Sequence, residues 1–292
     1  MNRSFLKMAG SGNDFIVLDD RDDTLRNTTP ERWVDLCTRR TGVGADGVLM
    51  LQPSENADFT MTYLNADGKE ASMCGNGARC LAMAAAVEFG LGGEFTAESP
   101  APEGWSLPAG AGSEPVWAVE FEAGDGLHHA IGWGRTVLTT IGDPAGMTNL
   151  DLDLTSGRLR GSLLDTGVPH FVTMVEDTAG VDIATIGPQI RYHPDVGPAG
   201  ANADFINREP DIGGAWSIRT WERGVEDETL ACGTGCAAAA TILALSGIRS
   251  PVMLRTGGGL LKVHFNIDEE VVHGLWLEGE VTIVYRGSIT DL

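Results

Sequence analysis

The sequence predicts an α/β chain assembled from two similar halves. A phrase that occurs twice, an alanine-rich helix after each copy, and short strand patterns bounded by glycine turns all lead to this fold class. The first copy is Glu70-Ala71-Ser72-Met73-Cys74-Gly75-Asn76-Gly77 and the second Glu228-Thr229-Leu230-Ala231-Cys232-Gly233-Thr234-Gly235; both read E-x-x-x-C-G-x-G. Each runs into small apolar residues with helical character, Ala78 to Val87 and Ala237 to Leu245. A repeat of this kind marks two units that each present one cysteine at a helix start. Unpaired N–H groups and the helix dipole favour an anion there, whether a thiolate or a substrate carboxylate.

In chain order, Phe5 to Met8 and Asp14 to Asp19 read as strands around the turn Gly10-Ser11-Gly12-Asn13. Thr29-Pro30 begins a helix that continues from Trp33 to Arg40, with Cys37 on its inner face. The glycine-rich run from Thr41 to Gly47 lacks the Lys-Ser/Thr of a phosphate loop and leads into a strand, Val48 to Leu51. Phe59 to Leu64 alternates as a half-buried strand, and Asn65-Ala66-Asp67-Gly68 turns it into the first cysteine phrase. Glu94 to Glu98 is a strand, 99–115 a surface insertion, and Val116 to Glu122 another strand. The division into domains is placed in the polar stretch Gly124 to His129, giving 1–127 and 128–278, with 279–292 returning to complete the first half. The second half reads as strand-rich. Its strands include the one opened by His170, Trp216 to Trp221, Val252 to Thr256, Leu260 to Phe265, Val271 to Leu277 and Val281 to Tyr285. Asn202-Ala203-Asp204-Phe205-Ile206 echoes Asn13-Asp14-Phe15-Ile16.

Composition excludes several functions. With 41 acidic against 20 basic residues, the formal charge is -21, and no basic stripe emerges to meet a nucleic-acid backbone. The start, Met1 to Lys7, lacks the apolar core of a signal peptide, and no apolar run is long enough to cross a bilayer. Five cysteines, an odd number without a disulfide framework, suit a reducing cytoplasm. Cys74/Cys80 and Cys232/Cys236 are spaced too widely for the usual Cys-x-x-Cys zinc unit, so no metal is expected.

Two cysteines in matched settings allow three readings. A thiolate and a thiol on opposite faces of one carbon would remove a proton from one side and return one on the other, inverting configuration. A redox pair would need the sulfurs within bonding distance. Simple packing needs neither. For proton transfer, the developing enediolate would be stabilised by amide N–H groups at Gly75-Asn76 and Gly233-Thr234. No lysine stands in an evident pyridoxal-phosphate setting, so no organic cofactor is required. His170 is either a satisfied structural histidine or a site residue, and the neighbours Glu222 and Arg223 either a surface pair or the two poles of a zwitterion site.

Taken together, Gly10-Ser11-Gly12-Asn13-Asp14-Phe15, Asn65-Ala66-Asp67-Gly68, Met73 to Cys80, Gly167-Val168-Pro169-His170, Glu222-Arg223-Gly224 and Ala231 to Gly235 closely resemble the diaminopimelate epimerase family. The resemblance implies two pseudo-symmetric domains, each a curved, mainly antiparallel sheet around a central helix, with the active site between them. It implies pyridoxal-phosphate-independent interconversion of LL- and meso-2,6-diaminopimelate on the route to lysine and peptidoglycan, by a cytoplasmic homodimer. Carried over residue by residue, Cys74 and Cys232 are the acid/base pair, with His170 and Glu222 as the polar pair that supports the reacting end. Asn13, Asn65, Asn76, Asn202, Glu222 and Arg223 match substrate contacts, and Gly75, Gly233 and Thr234 the carboxylate cradle. Two positions depart: Gly47 stands where a glutamine can contact substrate, and Val168 replaces an asparagine. The alternatives are a cofactor-independent proline or hydroxyproline racemase and a non-catalytic, isomerase-like binding protein. The Asn-rich contacts and Glu222-Arg223 favour a longer substrate with a second amino-acid head.

Overall fold

The computed structural model describes residues 2–95, 116–209, 213–290 and 292. The expected insertion at 99–115, and residues 96–98 of the strand expected before it, lie outside them. The chain divides into two compact units, Met1–Thr140 with Gly279–Leu292, and Ile141–Glu278.

The first unit contains β1 (Arg3–Gly10), β2 (Asn13–Asp19), α1 (Pro30–Cys37), β3 (Gly47–Gln52), β4 (Phe59–Asn65), β5 (Glu70–Ala71), α2 (Gly75–Met83), β6 (Gly93–Phe95), β7 (Val116–Ala123), β8 (Gly126–Trp133) and β9 (Thr136–Thr140). Neighbouring strands run antiparallel except β2–β3 and β4–β7, which are parallel. Residues 281–289 of the chain's last strand pair with β1, Gly10 facing Val281 and Arg3 facing Ile289. That strand also pairs with β9, so the sheet closes around α2. From Asn76 to Met83 every residue of α2 is buried, and a wider helical turn follows over Ala84–Glu88.

Strand periodicity explains how one sheet serves two cores. Phe15 and Val17 of β2 and Leu49 and Leu51 of β3 point inward to the α2 cluster. The alternate residues Ile16, Leu18, Val48 and Met50 point outward, where Trp33, Leu36 and Cys37 of α1 cover them. Burial on both faces is why these strands read as continuous apolar runs.

The second unit repeats the plan with β10 (Ala145–Leu154), β11 (Gly157–Asp165), β12 (Pro169–Met174), α3 (Ile183–Arg191), β13 (Asn202–Arg208), β14 (Trp216–Glu222), β15 (Asp227–Thr229), α4 (Gly233–Leu245), β16 (Val252–Thr256), β17 (Gly259–Asp268) and the opening residues of β18 (Val271–Ile289), which from Gly279 onward belongs to the first unit. The two parallel pairs recur at the same places, β12–β13 and β14–β16. α4 is the central helix here; Cys236 to Ala240 are fully buried against Ile206, Ile218, Leu254 and Leu261. α3 takes the place of α1 and packs Ile183 and Ile190 against Phe171, Phe205 and Trp221.

Several sequence expectations change. The boundary placed after residue 127 would cut β8 from its hairpin partner β7, and residues 128–140 stay with the first unit. His128 and His129 therefore sit in a strand, not a polar loop; His128 is buried, its Nε2 2.9 Å from Asp125. α1 ends at Cys37 rather than Arg40. α3 has no helical signature in the sequence, because Gly187 and Pro188 interrupt its pattern. The strands expected at 271–277 and 281–285 are one continuous β18. The register also alters the Asn202 echo: Phe15 faces Gly47 across β2–β3 and His170 faces Asn202 across β12–β13. Asn202 is thus the counterpart of Gly47, and His170 that of Phe15.

Candidate active site

In the first unit the site residues cluster at the start of α2. Cys74 is its N-cap, in extended conformation, and its Sγ accepts from the Gly77 N–H at 3.4 Å. Ser11 and Gly12 form a two-residue hairpin turn with φ of 52° and 89°. That turn delivers Asn13 to α2, where the Asn76 amide donates to Asn13 Oδ1 at 2.7 Å. Asn13 in turn donates to Asp46 Oδ2 at 3.0 Å. Behind Asn76, the fully buried Arg79 donates to Asn76 Oδ1 and to Ser11 Oγ, both at 2.8 Å. Asn13 and Asn76 are thereby held rigidly.

Asn65 ends β4 half-buried, its backbone engaged in a turn with Gly68 and Lys69, and its side-chain amide makes no hydrogen bond with any described residue. Gly47 has no space for the glutamine considered at this position. A Cβ there would stand 2.6 Å from Tyr63 Cε2 and collide with the Leu64 carbonyl oxygen, because β3 is pressed onto β4.

In the second unit a connected polar chain runs behind Cys232, the N-cap of α4. Its Sγ lies 3.3 Å from Thr234 Oγ1, which lies 2.9 Å from His170 Nε2; His170 Nδ1 is 2.7 Å from Asp204 Oδ2. Thr220 donates to the other Asp204 oxygen at 2.7 Å. His170 and Asp204 are completely buried. Asn202 approaches His170 Nε2 at 3.3 Å, donates to the Pro169 carbonyl at 3.1 Å and accepts from the Arg223 backbone N–H at 2.7 Å. Burial, and then the Glu222 and Asp204 carboxylates, push the Cys232 thiol well above the usual range. Burial also raises Glu222, against the opposing hydrogen bond from the Thr229 hydroxyl at 2.8 Å.

The Arg223 guanidinium is half-buried and makes no hydrogen bond or ion pair with any described residue. Val168 is half-buried in the turn before His170, with its carbonyl accepting from Thr166. Gly75 and Gly233 open the two helices, and the first helical backbone bonds run from Ala78 to Cys74 and from Cys236 to Cys232. Of the earlier N–H groups in the first turn of α2, that of Gly77 is taken by Cys74 Sγ.

Among the sequence-selected residues, the structure links Asn13 with Asn76 in one unit, and His170, Asn202, Thr234 and Cys232 in the other. Sequence reasoning missed Arg79's role as a tether, Asp46, and above all Asp204. The available signal was an acid inside the apolar strand Asn202-Ala203-Asp204-Phe205-Ile206. None of the five cysteines is joined to another in a disulfide. Burial pushes Cys37 up to about 11 and Cys80 up to about 12, as expected of packing residues. Among the described residues, no group of three or more His, Cys, Asp or Glu could hold a metal, and no helix is long and apolar enough to cross a membrane.

The family model for diaminopimelate epimerase matches residues 5–102 and 162–284, more than half of the chain. The chain belongs to the diaminopimelate epimerase family. It is 39% identical to the diaminopimelate epimerase of Chlorobaculum tepidum over 97% of this chain and 100% of that one. It is 36% identical to that of Aquifex aeolicus over 98% of each. Among solved structures, a probable proline racemase from Agrobacterium radiobacter aligns with a TM-score of 0.67 over 99% of this chain and 93% of that one. Its 17% identity is a likeness of fold. Both epimerases thus match this chain over nearly the full length of each partner.

Proposed function

We propose that this chain interconverts LL- and meso-2,6-diaminopimelate by two-base proton transfer between Cys74 and Cys232. The observation that carries the reading is the equivalence of the two thiols: each is the N-cap of the buried central helix of its own unit. Family membership supports this choice of substrate.

One thiolate takes the α-hydrogen as a proton. The electron pair left on carbon spreads into the substrate carboxylate, and the opposite thiol returns a proton to the other face. This chemistry requires the sulfurs to approach the carbon from opposite sides, and turnover leaves their protonation exchanged. The first-turn N–H groups of Gly75 and Asn76 and of Gly233 and Thr234 are suited to the carboxylate on which charge develops. Asn13, Asn65, Asn76, Asn202 and Arg223 are assigned to substrate recognition; Arg223 and Asn65 are the members with side chains unengaged among the described residues. His170 and Glu222 are assigned to the reacting end. The scheme uses no pyridoxal phosphate, other cofactor or metal. A cytoplasmic homodimer feeding lysine and peptidoglycan synthesis belongs to the same reading.

The test is a substrate panel of LL-diaminopimelate, meso-diaminopimelate, L-proline and trans-4-hydroxyproline, followed by chiral analysis and deuterium incorporation from solvent. The expected result is inversion of the two diaminopimelates with one solvent deuteron at the inverted carbon. Preferential turnover of either proline would overturn the substrate. Inversion that persists in a Cys74→Ala/Cys232→Ala double variant would overturn the mechanism. Sedimentation velocity tests the dimer.

A further inference from the structure

The polar chain behind Cys232 is longer than proton transfer by a lone thiol requires, and its far end is the completely buried Asp204 carboxylate. A buried carboxylate is costly unless its oxygens are satisfied. Here both are, one by Thr220 Oγ1 and the other by His170 Nδ1, each at 2.7 Å.

That arrangement orients the imidazole. A carboxylate only accepts, so Nδ1 carries a hydrogen toward Asp204. Nε2 then faces the Thr234 hydroxyl at 2.9 Å and an Asn202 amide hydrogen at 3.3 Å, both donors, and serves as an acceptor. With its hydrogen spent on Nε2, Thr234 Oγ1 presents lone pairs to Cys232 Sγ at 3.3 Å. Every hydrogen in the row points from Cys232 toward His170. Packing locks the geometry, since a Cβ on Gly235 would stand 2.5 Å from Asp204 Oδ1 and 3.3 Å from His170 Cε1.

We propose that Asp204 is a positioning residue that holds His170 as the proton acceptor for Cys232, with the Thr234 hydroxyl as the bridge. The inference rests on the epimerase reading of Cys232 and adds how that thiol exchanges its proton. In the step, the Cys232 S–H bond breaks as its proton passes to Thr234 Oγ1, and the hydroxyl's own hydrogen passes to His170 Nε2. The products are a thiolate and an imidazolium, the latter lying against the Asp204 carboxylate. The reverse shift restores the thiol. No oxidant or further reactant is involved.

The direct charge effect of Asp204 has the opposite sign, which makes the test decisive. Acting only as a nearby negative charge, Asp204 opposes ionisation of Cys232, as Glu222 of β14 also does. Its removal would then speed reaction of the thiol. Acting through His170, its removal slows the reaction, because an asparagine can donate to Nδ1 and turn the imidazole to the wrong tautomer.

The experiment is alkylation of Cys232 by iodoacetamide across a pH series in a Cys74→Ser background, with the modified cysteine located by peptide mass spectrometry. Asp204→Asn is expected to slow Cys232 alkylation on the order of tenfold near neutral pH and to move its profile to higher pH. Thr234→Ser is expected to leave the profile in place, and Thr234→Val to slow it. With Cys74 intact, Asp204→Asn lowers kcat for epimerisation with little change in KM. Unchanged or faster alkylation in Asp204→Asn overturns the proposal. If that variant does not fold, loss of the Thr234→Ser and Thr234→Val contrast overturns it in the same way. Because alkylation needs no substrate, a shifted profile in a chain inactive on diaminopimelate would sink the substrate reading and leave the relay. Active epimerase with an unshifted profile would do the reverse.

Discussion

The starts of α2 and α4 carry the same phrase and surround it with different chemistry. At α2, Cys74 is half-buried and receives an amide hydrogen, an arrangement that suits a charged sulfur, while Asn76 and Arg79 of the same helix are tied to the β1–β2 turn. At α4, Cys232 is buried beside carboxylates that oppose its ionisation, and the helix behind it is a run of buried alanines. A duplicated motif therefore supplies two sulfurs without making them equal. Burial and its carboxylate neighbours hold Cys232 toward the protonated thiol.

The sharpest way to break the comparison is to remove either sulfur. Cys74→Ala and Cys232→Ala should each lower kcat at least about 10³-fold, within the range ascribed to a positioned acid or base. Circular dichroism should show both variants folded. Chiral analysis that finds either variant within tenfold of the parent would mean that one thiol suffices.

The arginines provide the next contrast. Arg223 is unengaged among the described residues, so Arg223→Ala should weaken kcat/KM for diaminopimelate roughly 10- to 100-fold, the value of a lost charge-assisted hydrogen bond. Its denaturation midpoint should barely move. Arg79→Ala should instead destabilise the protein by about 3 kcal/mol, because it empties a fully buried site and removes the hydrogen bonds to Asn76 and Ser11. Urea titration of the two variants, paired with steady-state kinetics, separates binding from scaffolding, and equal loss of stability would erase the distinction.

A smaller difference is expected at the second glycine of each phrase. Gly235→Ala drives a methyl group against Asp204, which two hydrogen bonds hold in place, and should cost about 1–3 kcal/mol. Gly77→Ala is tight only against the Leu49 Cδ2 methyl, at 2.9 Å, the far end of a side chain rather than a hydrogen-bonded carboxylate. It should cost less than half as much in thermal unfolding. Finally, burial and its carboxylate neighbours raise Cys232, so its thiolate is scarce at neutral pH and its alkylation should climb only through the alkaline range. Rapid alkylation of Cys232 at pH 7 would remove the asymmetry.

Much of this was legible from the chain because local chemistry and global fold agree at the repeated phrase. Cysteine followed by Gly-x-Gly and alanines allows little but a tight helix start, and both helices begin where the phrase says. Strands buried on both faces announced themselves as apolar runs. What escaped depended on pairing between distant residues. No local pattern distinguishes Asn202 as the counterpart of Gly47; the parallel register of β12 and β13 does. Asp204 looked like one acid among many until its strand placed it inward against His170. The Gly187-Pro188 pair concealed α3, whose stability comes from packing on β13 and β14 rather than from propensity.

The last strand has a consequence for biosynthesis. β1 needs residues 281–289 as its neighbour, so the sheet of the first unit stays open until the intervening residues 141–278 have been made. The second unit ends at Glu278 and can assemble earlier. During that interval the nascent amino-terminal half bears an unpaired strand edge, an invitation to mispairing. A stop codon shortly after residue 278 would therefore harm the first unit, although most of it is made earlier, and spare the second.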